Sequence, residues 1–410
     1  MPLRGEPRVL WLTTEFFPPE MGGTGVITAR LAAGLAERAL NVQVVTRQTV
    51  PRSPRHERIG LVDVRRIRPA GRMKGVGWRA FPVMLAYVLH LAAFLIRARQ
   101  RYDLVIIAGM KTIPLGAVPA CRLLGKKCVI RIESPFEIAE PISAESLAMM
   151  NGLLGRLLSR TLMGAQRMLL RRADRVIAIS NDISQRLRQL GYPQERIVEI
   201  PNTVDLTRFK PLDGSERDSL RARLHFPAGK TVLVYAGRLS RAKGVMMLME
   251  IMPELFARHP ELHLVVVGSG RESWDSCEEE VAEFVRARQL AHRVALPGQS
   301  ERLHEYLQAA DLFVSPSDYE GFGLTTVEAL ACAAPVVTTA VGIVPQVIEH
   351  SVNGFMCPPK DPGALNAALE EALDARSRWP QIGRLARESV VRFDLPQVIT
   401  QYVTLCRDLN

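Results

Sequence analysis

Short runs of aliphatic and β-branched residues recur along this chain, each followed by a helix-length stretch. In the first half they read "VLWL", "VQVVT", "DLVII", "KCVIRI", "RVIAI" and "RIVEI"; in the second, "TVLVYAG", "LHLVVVG", "HRVALPG", "DLFVSPS" and "PVVTT". The runs are continuously apolar rather than alternating, which predicts strands covered on both faces. Helical spacers between such strands predict parallel crossovers, so each half is expected to be a doubly wound α/β domain. The intervening stretch "PNTVDLTRFKPLDGSERDSLRARLHFPAGK" is rich in proline, glycine and charge and reads as the connection. The expected division is residues 1–205 and 206–394. Two such sheets facing each other leave a cleft at the carboxyl ends of their strands, where open α/β folds bind ligands. Chemistry is therefore expected in the loops that follow strands.

The longest apolar segment, "FPVMLAYVLHLAAFLI" at residues 81–96, contains Pro82 and His90. It falls short of the roughly 20 residues that span a bilayer, and is expected to be a buried helix.

A chain of 410 residues with 47% hydrophobic and 23% charged residues excludes a largely disordered protein and exceeds one ordinary core. Its net charge of +11 is uneven: 33 Lys/Arg against 16 Asp/Glu in residues 1–210, and 20 against 26 in residues 211–410, so the halves carry +17 and −6. Such asymmetry turns the first half toward something anionic, a membrane surface or a nucleic acid, unless it is simply an Arg-rich soluble surface. The basic residues are not interleaved with aromatics as a nucleic-acid stacking platform requires, and nucleic acid is not an expected partner. Six scattered cysteines without a CxxC pair, and no apolar run near the start long enough for a signal peptide, fit a reducing cytoplasmic location.

Three strand-following loops carry candidate chemistry. After "RVLWL", the stretch "PPEMGGTG" places Gly22, Gly23 and Gly25 ahead of an apolar helix; such a turn lets backbone amides approach a phosphate or sugar, and an ordinary tight turn is the alternative. No Gly-Lys-Ser/Thr follows, so it is not a Walker A loop. After "TVLVYAG" comes "RLSRAKG", whose Arg238 and Lys243 suit a diphosphate, the one as a fork and the other as a point charge, unless the loop is merely solvated. After "DLFVSPS" comes "DYEGFGLTTVEAL", with Glu320, Gly321, Phe322, Gly323, Leu324, Thr325 and Glu328. Carboxylates accept hydrogen bonds from vicinal hydroxyls, so two of them flanking a turn of free amides suit a sugar nucleotide. Thr325 and Glu328 also spell a capping box for a helix that begins at Thr325. "VVVGSGRES" has Ser273 where a dinucleotide fingerprint needs glycine or alanine, which argues against a nicotinamide site. No HExxH and no carboxylate set with metal-ligand spacing occurs. No protein-held metal or cofactor is expected.

Taken in order, "PPEMGGTG", "AISNDISQRLRQLGYPQERIVEIPNTVD", "YAGRLSRAKG", "VVVGSG", "VALPGQ", "SDYEGFGLTTVEALACAAPVV" and "VGIVPQVIEHSVNGFMCPPKD" make the chain resemble the retaining glycosyltransferases of family 4, which have the two-domain GT-B architecture. The likeness runs over nearly the whole length. It implies a hexosyltransferase whose nucleotide-sugar substrate is its only small-molecule requirement, with no metal in the reaction. In that resemblance Glu320 holds the hydroxyls of the transferred hexose, Glu328 holds the donor ribose, and Arg238 and Lys243 neutralise the departing diphosphate. The amides of Gly321 to Thr325 bind sugar and phosphate oxygens, and Gly22 and Gly23 close the cleft opposite. It also implies that residues 395–410 return to the first domain. The acceptor is a hydroxyl of unspecified type, on a glycan, a glycolipid or a small molecule.

Three positions depart from the family pattern. "RIESPFE" carries Glu133 and Ser134 where a histidine is common, "PNTVD" has Thr203 where glycine is usual, and "AVGIVP" has Ile343 where a second glycine is frequent. Glu133 is either a replacement on the acceptor side or an ordinary strand-end carboxylate. The missing histidine also leaves open a silent nucleotide-sugar-binding subunit, and the architecture leaves open an epimerase or phosphorylase. Arg156, Arg160, Arg167 and Arg171 share one face of a helix opposite Leu154, Leu158 and Leu169, with Arg65, Arg66, Arg68, Arg72, Lys74 and Arg79 as a further basic cluster. Peripheral contact with an anionic membrane and a merely solvated face are the two readings.

Overall fold

The computed structural model describes residues 6–13, 23–71, 81–110, 112–139, 153–270 and 275–410. The chain divides into two compact units, Met1–Thr203 with Leu395–Asn410, and Val204–Asp394.

The first unit is built on β1 (Arg8–Leu12), β2 (Asn41–Arg47), β3 (His56–Ile59), β4 (Val62–Ile67), β5 (Leu104–Ala108), β6 (Lys127–Ile132), β7 (Arg175–Ala178) and β8 (Ile197–Glu199). They lie in the order β3-β4-β2-β1-β5-β6-β7-β8, parallel except for the β3–β4 pair at the edge. Trp11 of β1 stands opposite Val44 on one side and Ile106 on the other, and every residue of β5 is buried. Burial on both faces is the reason these runs do not alternate. The β3–β4 hairpin was not among the expected strands. Val62, Val64 and Arg66 of β4 are buried and alternate with partly exposed positions, while β3 at the edge has no buried residue, so neither reads as a continuous apolar run.

Helices α1 (Gly23–Glu37), α2 (Phe81–Arg97), α3 (Ile113–Leu123) and α4 (Leu153–Arg172) fill the crossovers. β2 is reached from β1 in one direction and β5, β6 and β7 in the other. Right-handed connections therefore put α1 on one face and α2, α3 and α4 on the opposite one. Within that layer α2 packs on α3 and α3 on α4. A Cβ on Gly116 of α3 would come within 2.7 Å of the Val88 carbonyl oxygen, so the two backbones touch there. The expectation that residues 81–96 form a buried helix is only half met. Tyr87, Leu91 and Leu95 are buried, but Leu85, Leu89 and Ile96 are 46%, 60% and 40% exposed. α2 is an outer-layer helix with one covered face.

On the other face the C-terminal helix Leu395–Leu409 packs on α1, and its Tyr402 lies 5.7 Å centroid to centroid from Trp11. The wholly buried Arg131 at the end of β6 donates from Nε to the Tyr402 hydroxyl at 2.9 Å, and further to Asn202 Oδ1. Tyr402→Phe removes the acceptor from a buried charged donor, which costs about 1–3 kcal/mol. A urea midpoint that falls accordingly is expected, and an unchanged midpoint would show the bond to be energetically idle.

The second unit contains β9 (Thr231–Ala236), β10 (Leu262–Val267), β11 (Val294–Gly298), β12 (Leu312–Ser315), β13 (Val336–Thr339) and β14 (Phe355–Cys357) in the order β11-β10-β9-β12-β13-β14. All neighbours are parallel. The chain steps outward from β9 in one direction and from β12 in the other. β9 and β12 are therefore adjacent strands whose following loops diverge, the switch point at which open α/β sheets form a ligand crevice. Val314 of β12 is level with Tyr235 of β9, so both loops leave the sheet at the same height.

Candidate active site

Those two loops bring the second unit's candidate residues together. After β9 the chain runs through Gly237 and Arg238 to a single 3-10 turn, Arg241–Lys243, and then into α5 (Val245–Arg258). After β12 it runs through Pro316–Gly323 into α6 (Leu324–Ala331). The Asp318 amide donates to the Ala242 carbonyl at 2.9 Å, which clamps one loop to the other. Gly244 comes close enough to the Pro316 carbonyl that a side chain there would overlap it. Across this clamp Lys243 Nζ lies 2.6 Å from Glu320 Oε1, and Ser317 Oγ donates to the same oxygen at 2.9 Å. Both ionised groups are largely covered, with side chains 23% and 15% exposed. The pair is held, not a chance meeting of surface chains.

The clamp has supports that the sequence reading did not name. Thr339 Oγ1 donates to the Ser317 carbonyl at 2.6 Å and Thr338 Oγ1 to the Ser315 carbonyl at 3.0 Å, tying β13 to the strand end that carries Glu320. The Ile343 amide donates to the Phe322 carbonyl at 2.8 Å, while the Phe322 ring is buried edge-on against Phe393. Beneath the first loop the Tyr235 hydroxyl donates to the Arg238 carbonyl at 3.0 Å. Burial pushes the Tyr235 phenol well up from its usual value; the Glu320 charge adds to this and Arg238 opposes it. One phenol thus feels both groups, and it stays a neutral donor. These supports are hydroxyls and backbone groups inside apolar runs. Their only sequence signal is that "SPS" and "TT" end their strands with small hydroxylated residues.

Arg238 itself is exposed, and among the described residues its guanidinium has no hydrogen-bond partner. Its five donors remain for a ligand. Gly321, Leu324 and Thr325 are partly exposed, while Phe322 and Gly323 are buried. α6 begins at Leu324 with Gly323 as its N-cap and no side-chain cap, so the expected start at Thr325 and its capping box with Glu328 are not what is found. Glu328 sits one turn further in, 3% exposed. The uncapped first turn leaves backbone N–H groups directed beyond the helix, where an anion is favoured.

The "GSG" loop after β10 is already occupied from within. Glu278 Oε2 accepts from Ser269 Oγ at 2.7 Å and from the Gly270 amide at 2.6 Å. A carboxylate therefore holds the amide that a dinucleotide's pyrophosphate would need, and the next helix, Glu278–Ala287, starts well beyond the glycines.

In the first unit, Glu133 stands just past β6 with its side chain 11% exposed, ion-paired with Arg131 and accepting from Thr24 Oγ1 at 3.3 Å. Its backbone amide donates to Glu137 Oε2 at 3.1 Å. Gly23 opens α1, and Gly22 lies outside the described residues. Of the basic residues, Arg167 and Arg171 are exposed and Leu169 is buried, but the side chains of Arg156 and Arg160, and Arg72, Lys74 and Arg79 entirely, lie outside the described residues. Arg66 does not belong to an outward basic cluster: it is 5% exposed and paired with Glu57 at 2.7 Å. Among the described residues no group of three His, Cys, Asp or Glu is placed to hold a metal ion, and no helix is long and apolar enough to cross a membrane.

Comparison with known proteins adds a family to this geometry. The glycosyltransferase family 4 pattern matches residues 21–208, and the glycosyl transferases group 1 pattern matches residues 216–388. D-inositol 3-phosphate glycosyltransferase of Kineococcus radiotolerans is 30% identical over 90% of this chain and 87% of its own. Among solved structures, sucrose-phosphate synthase from Thermosynechococcus elongatus superposes with a TM-score of 0.80 at 24% identity, covering 98% of this chain and 99% of that one. Anabaena Alr3699/HepE in complex with UDP-glucose gives 0.75 at 20% identity, covering 98% and 100%. Full-length agreement in sequence pattern and fold makes the assignment: this chain belongs to the glycosyl transferases group 1 family and is a glycosyltransferase of GT-B fold.

Proposed function

We propose that this enzyme moves a hexose from a nucleoside-diphosphate sugar to an acceptor hydroxyl with retention of anomeric configuration, and that its second unit holds the donor. The observation that carries this reading is the clamped Lys243–Glu320 pair at the β9–β12 switch point, with the exposed Arg238 guanidinium, unpartnered among the described residues, on the same loop as Lys243. Lys243 has three donors and spends one on Glu320, so the others serve the diphosphate. Glu320 takes both protein contacts on Oε1, which leaves Oε2 for sugar hydroxyls. As the bond from sugar to phosphate lengthens, negative charge grows on the diphosphate, and fixed cations in a partly desolvated site stabilise it without reorganising. The first-turn amides of α6 add donors to the same anion. The acceptor hydroxyl then captures an oxocarbenium-like sugar on the face the diphosphate leaves, and its proton passes to the departing phosphate. This course uses the two protein cations for the leaving group and asks for no metal.

Glu328 takes the donor ribose, deep in the wall of the site. Glu133 is assigned to the acceptor side, where it is ion-paired with Arg131. The Anabaena protein was solved with UDP-glucose, so uridine is the first base to try, and the name of the Kineococcus relative puts inositol 3-phosphate on the acceptor panel.

The test is donor turnover with UDP-, GDP- and ADP-hexoses, with and without acceptors. Transfer needs both substrates, an epimerase acts on donor alone, and a silent subunit binds without turnover. Glu328→Gln keeps the shape and removes the charged acceptor, a hydrogen bond worth about 1.5–3 kcal/mol. Its donor KM is expected to rise about tenfold or more with kcat nearly unchanged, the mark of binding lost equally before and in the transition state. A fall in kcat at constant KM would move Glu328 off the ribose.

A further inference from the structure

The outward face of α2 is not explained by donor chemistry. A helix apolar on all sides is normally buried, and one left half-exposed signals an interaction surface. Leu85, Leu89 and Ile96 are spaced by four and seven residues, hence on one stripe, and that stripe is the exposed one. The two helices beside it continue the pattern: Leu123 at the end of α3 is 77% exposed and Met168 of α4 is 53% exposed.

The charge on this layer has one sign. α2, α3 and α4 contain no aspartate or glutamate, whereas Arg97, Arg99 and Arg101 follow one another around the end of α2 and Arg167, Arg171 and Arg172 line the end of α4. Arg167, Arg171 and Arg172 share a surface groove with Gly164 and Met168, so guanidinium groups and an apolar side chain face the same recess. The Gly116–Val88 contact locks α2 onto α3 and keeps the stripe facing outward.

We propose that this α2–α3–α4 face docks on an anionic phospholipid bilayer, with α2 lying in the plane of the interface. At 1.5 Å per residue α2 is about 26 Å long, and lying flat it immerses its leucine stripe among the acyl chains near the headgroups. The arginines at the helix ends then meet lipid phosphates, each contributing about 1 kcal/mol near such a surface. A second copy of this chain fits less well, because a two-fold interface would set a face of arginines without acids against itself. Of the earlier basic cluster, Arg66 is not part of this surface, since it is buried against Glu57.

The experiment is co-sedimentation of the full chain with vesicles of phosphatidylcholine alone and of phosphatidylcholine containing phosphatidylglycerol. Vesicle binding needs no nucleotide, so it is read independently of the proposed donor chemistry. Binding to the mixed vesicles is expected to be about tenfold or more tighter than to neutral ones and to weaken with salt. Leu85→Ser/Leu89→Ser and Arg167→Glu/Arg171→Glu are each expected to weaken it about tenfold or more while leaving the circular dichroism spectrum and thermal midpoint unchanged. The proposal is overturned by absent binding to mixed vesicles, by equal binding to neutral ones, or by folded variants that bind as well as wild type. A wild-type dimer that the leucine variant dissolves would overturn it too, by giving the face to a second copy.

Discussion

Lys243→Ala is expected to lower turnover about a hundredfold or more in a protein that remains folded, and Glu320→Ala to do the same. Loss of one preorganised donor to a developing anion costs about two to three orders of magnitude in kcat. Lys243 is such a donor if the diphosphate leaves along the β9–β12 crevice. Its removal also strands the largely covered Glu320 carboxylate without its cation, which leaves Ser317 as its hydrogen-bond partner among the described residues. The two losses are therefore coupled, and Lys243→Ala/Glu320→Ala is expected to fall well short of the product of the single effects. Lys243→Arg restores charge but not the compact ammonium that fits 2.6 Å from Oε1, so it recovers part of the rate at most. The measurement is kcat on whichever nucleotide sugar the donor screen selects, with thermal melts to confirm folding. Near-normal rates in both folded alanine variants would remove the pair from the chemistry and with it the reading of the second unit as the donor site.

Much of this was legible because buried parallel strands write themselves as uninterrupted apolar runs. "TVLVYA", "LHLVVV" and "DLFVS" could only be core strands, and loops after core strands are where an open sheet presents chemistry. Lys243 and Glu320 were nameable on that ground alone. That they meet was not, because the meeting depends on β9 and β12 being neighbours, a matter of strand order that pattern does not encode. The same holds for Ser317 and Thr339, which act through backbone and hydroxyl contacts at strand ends. α2 misled for a different reason. Its apolar outer stripe is indistinguishable in sequence from a core-facing one, and only packing shows Leu89 to be 60% exposed. The start of α6 was placed one residue late, since Thr325 resembles a cap while the backbone turns at Gly323. Sequence left Glu133 as either an acceptor-side replacement or a strand-end carboxylate; its ion pair with Arg131, two residues back on a buried strand where an arginine side chain is unusual, was not legible.

Gly244→Ala is expected to be among the most damaging single-methyl changes in the chain. Gly244 has φ of 68°, a left-handed conformation that costs an L residue about 1–2 kcal/mol. Its added Cβ would also lie 1.9 Å from the Pro316 carbonyl oxygen, which no side-chain rotation relieves because both atoms belong to the backbone frame. The loops must part, and they are the ones that the Asp318–Ala242 hydrogen bond joins to seat Lys243 against Glu320. A stability loss above about 3 kcal/mol is expected, together with a turnover loss in the surviving folded fraction close to that of Lys243→Ala. Gly229 supplies the control: its φ is also 68°, but nothing lies within 4 Å of the corresponding Cβ. Gly229→Ala therefore carries the backbone strain without the collision and is expected to lose only about 1–2 kcal/mol with turnover intact. Equal losses in the two variants, measured by urea unfolding, would mean that strain alone accounts for the effect and that the close approach of the two loops does not position Lys243.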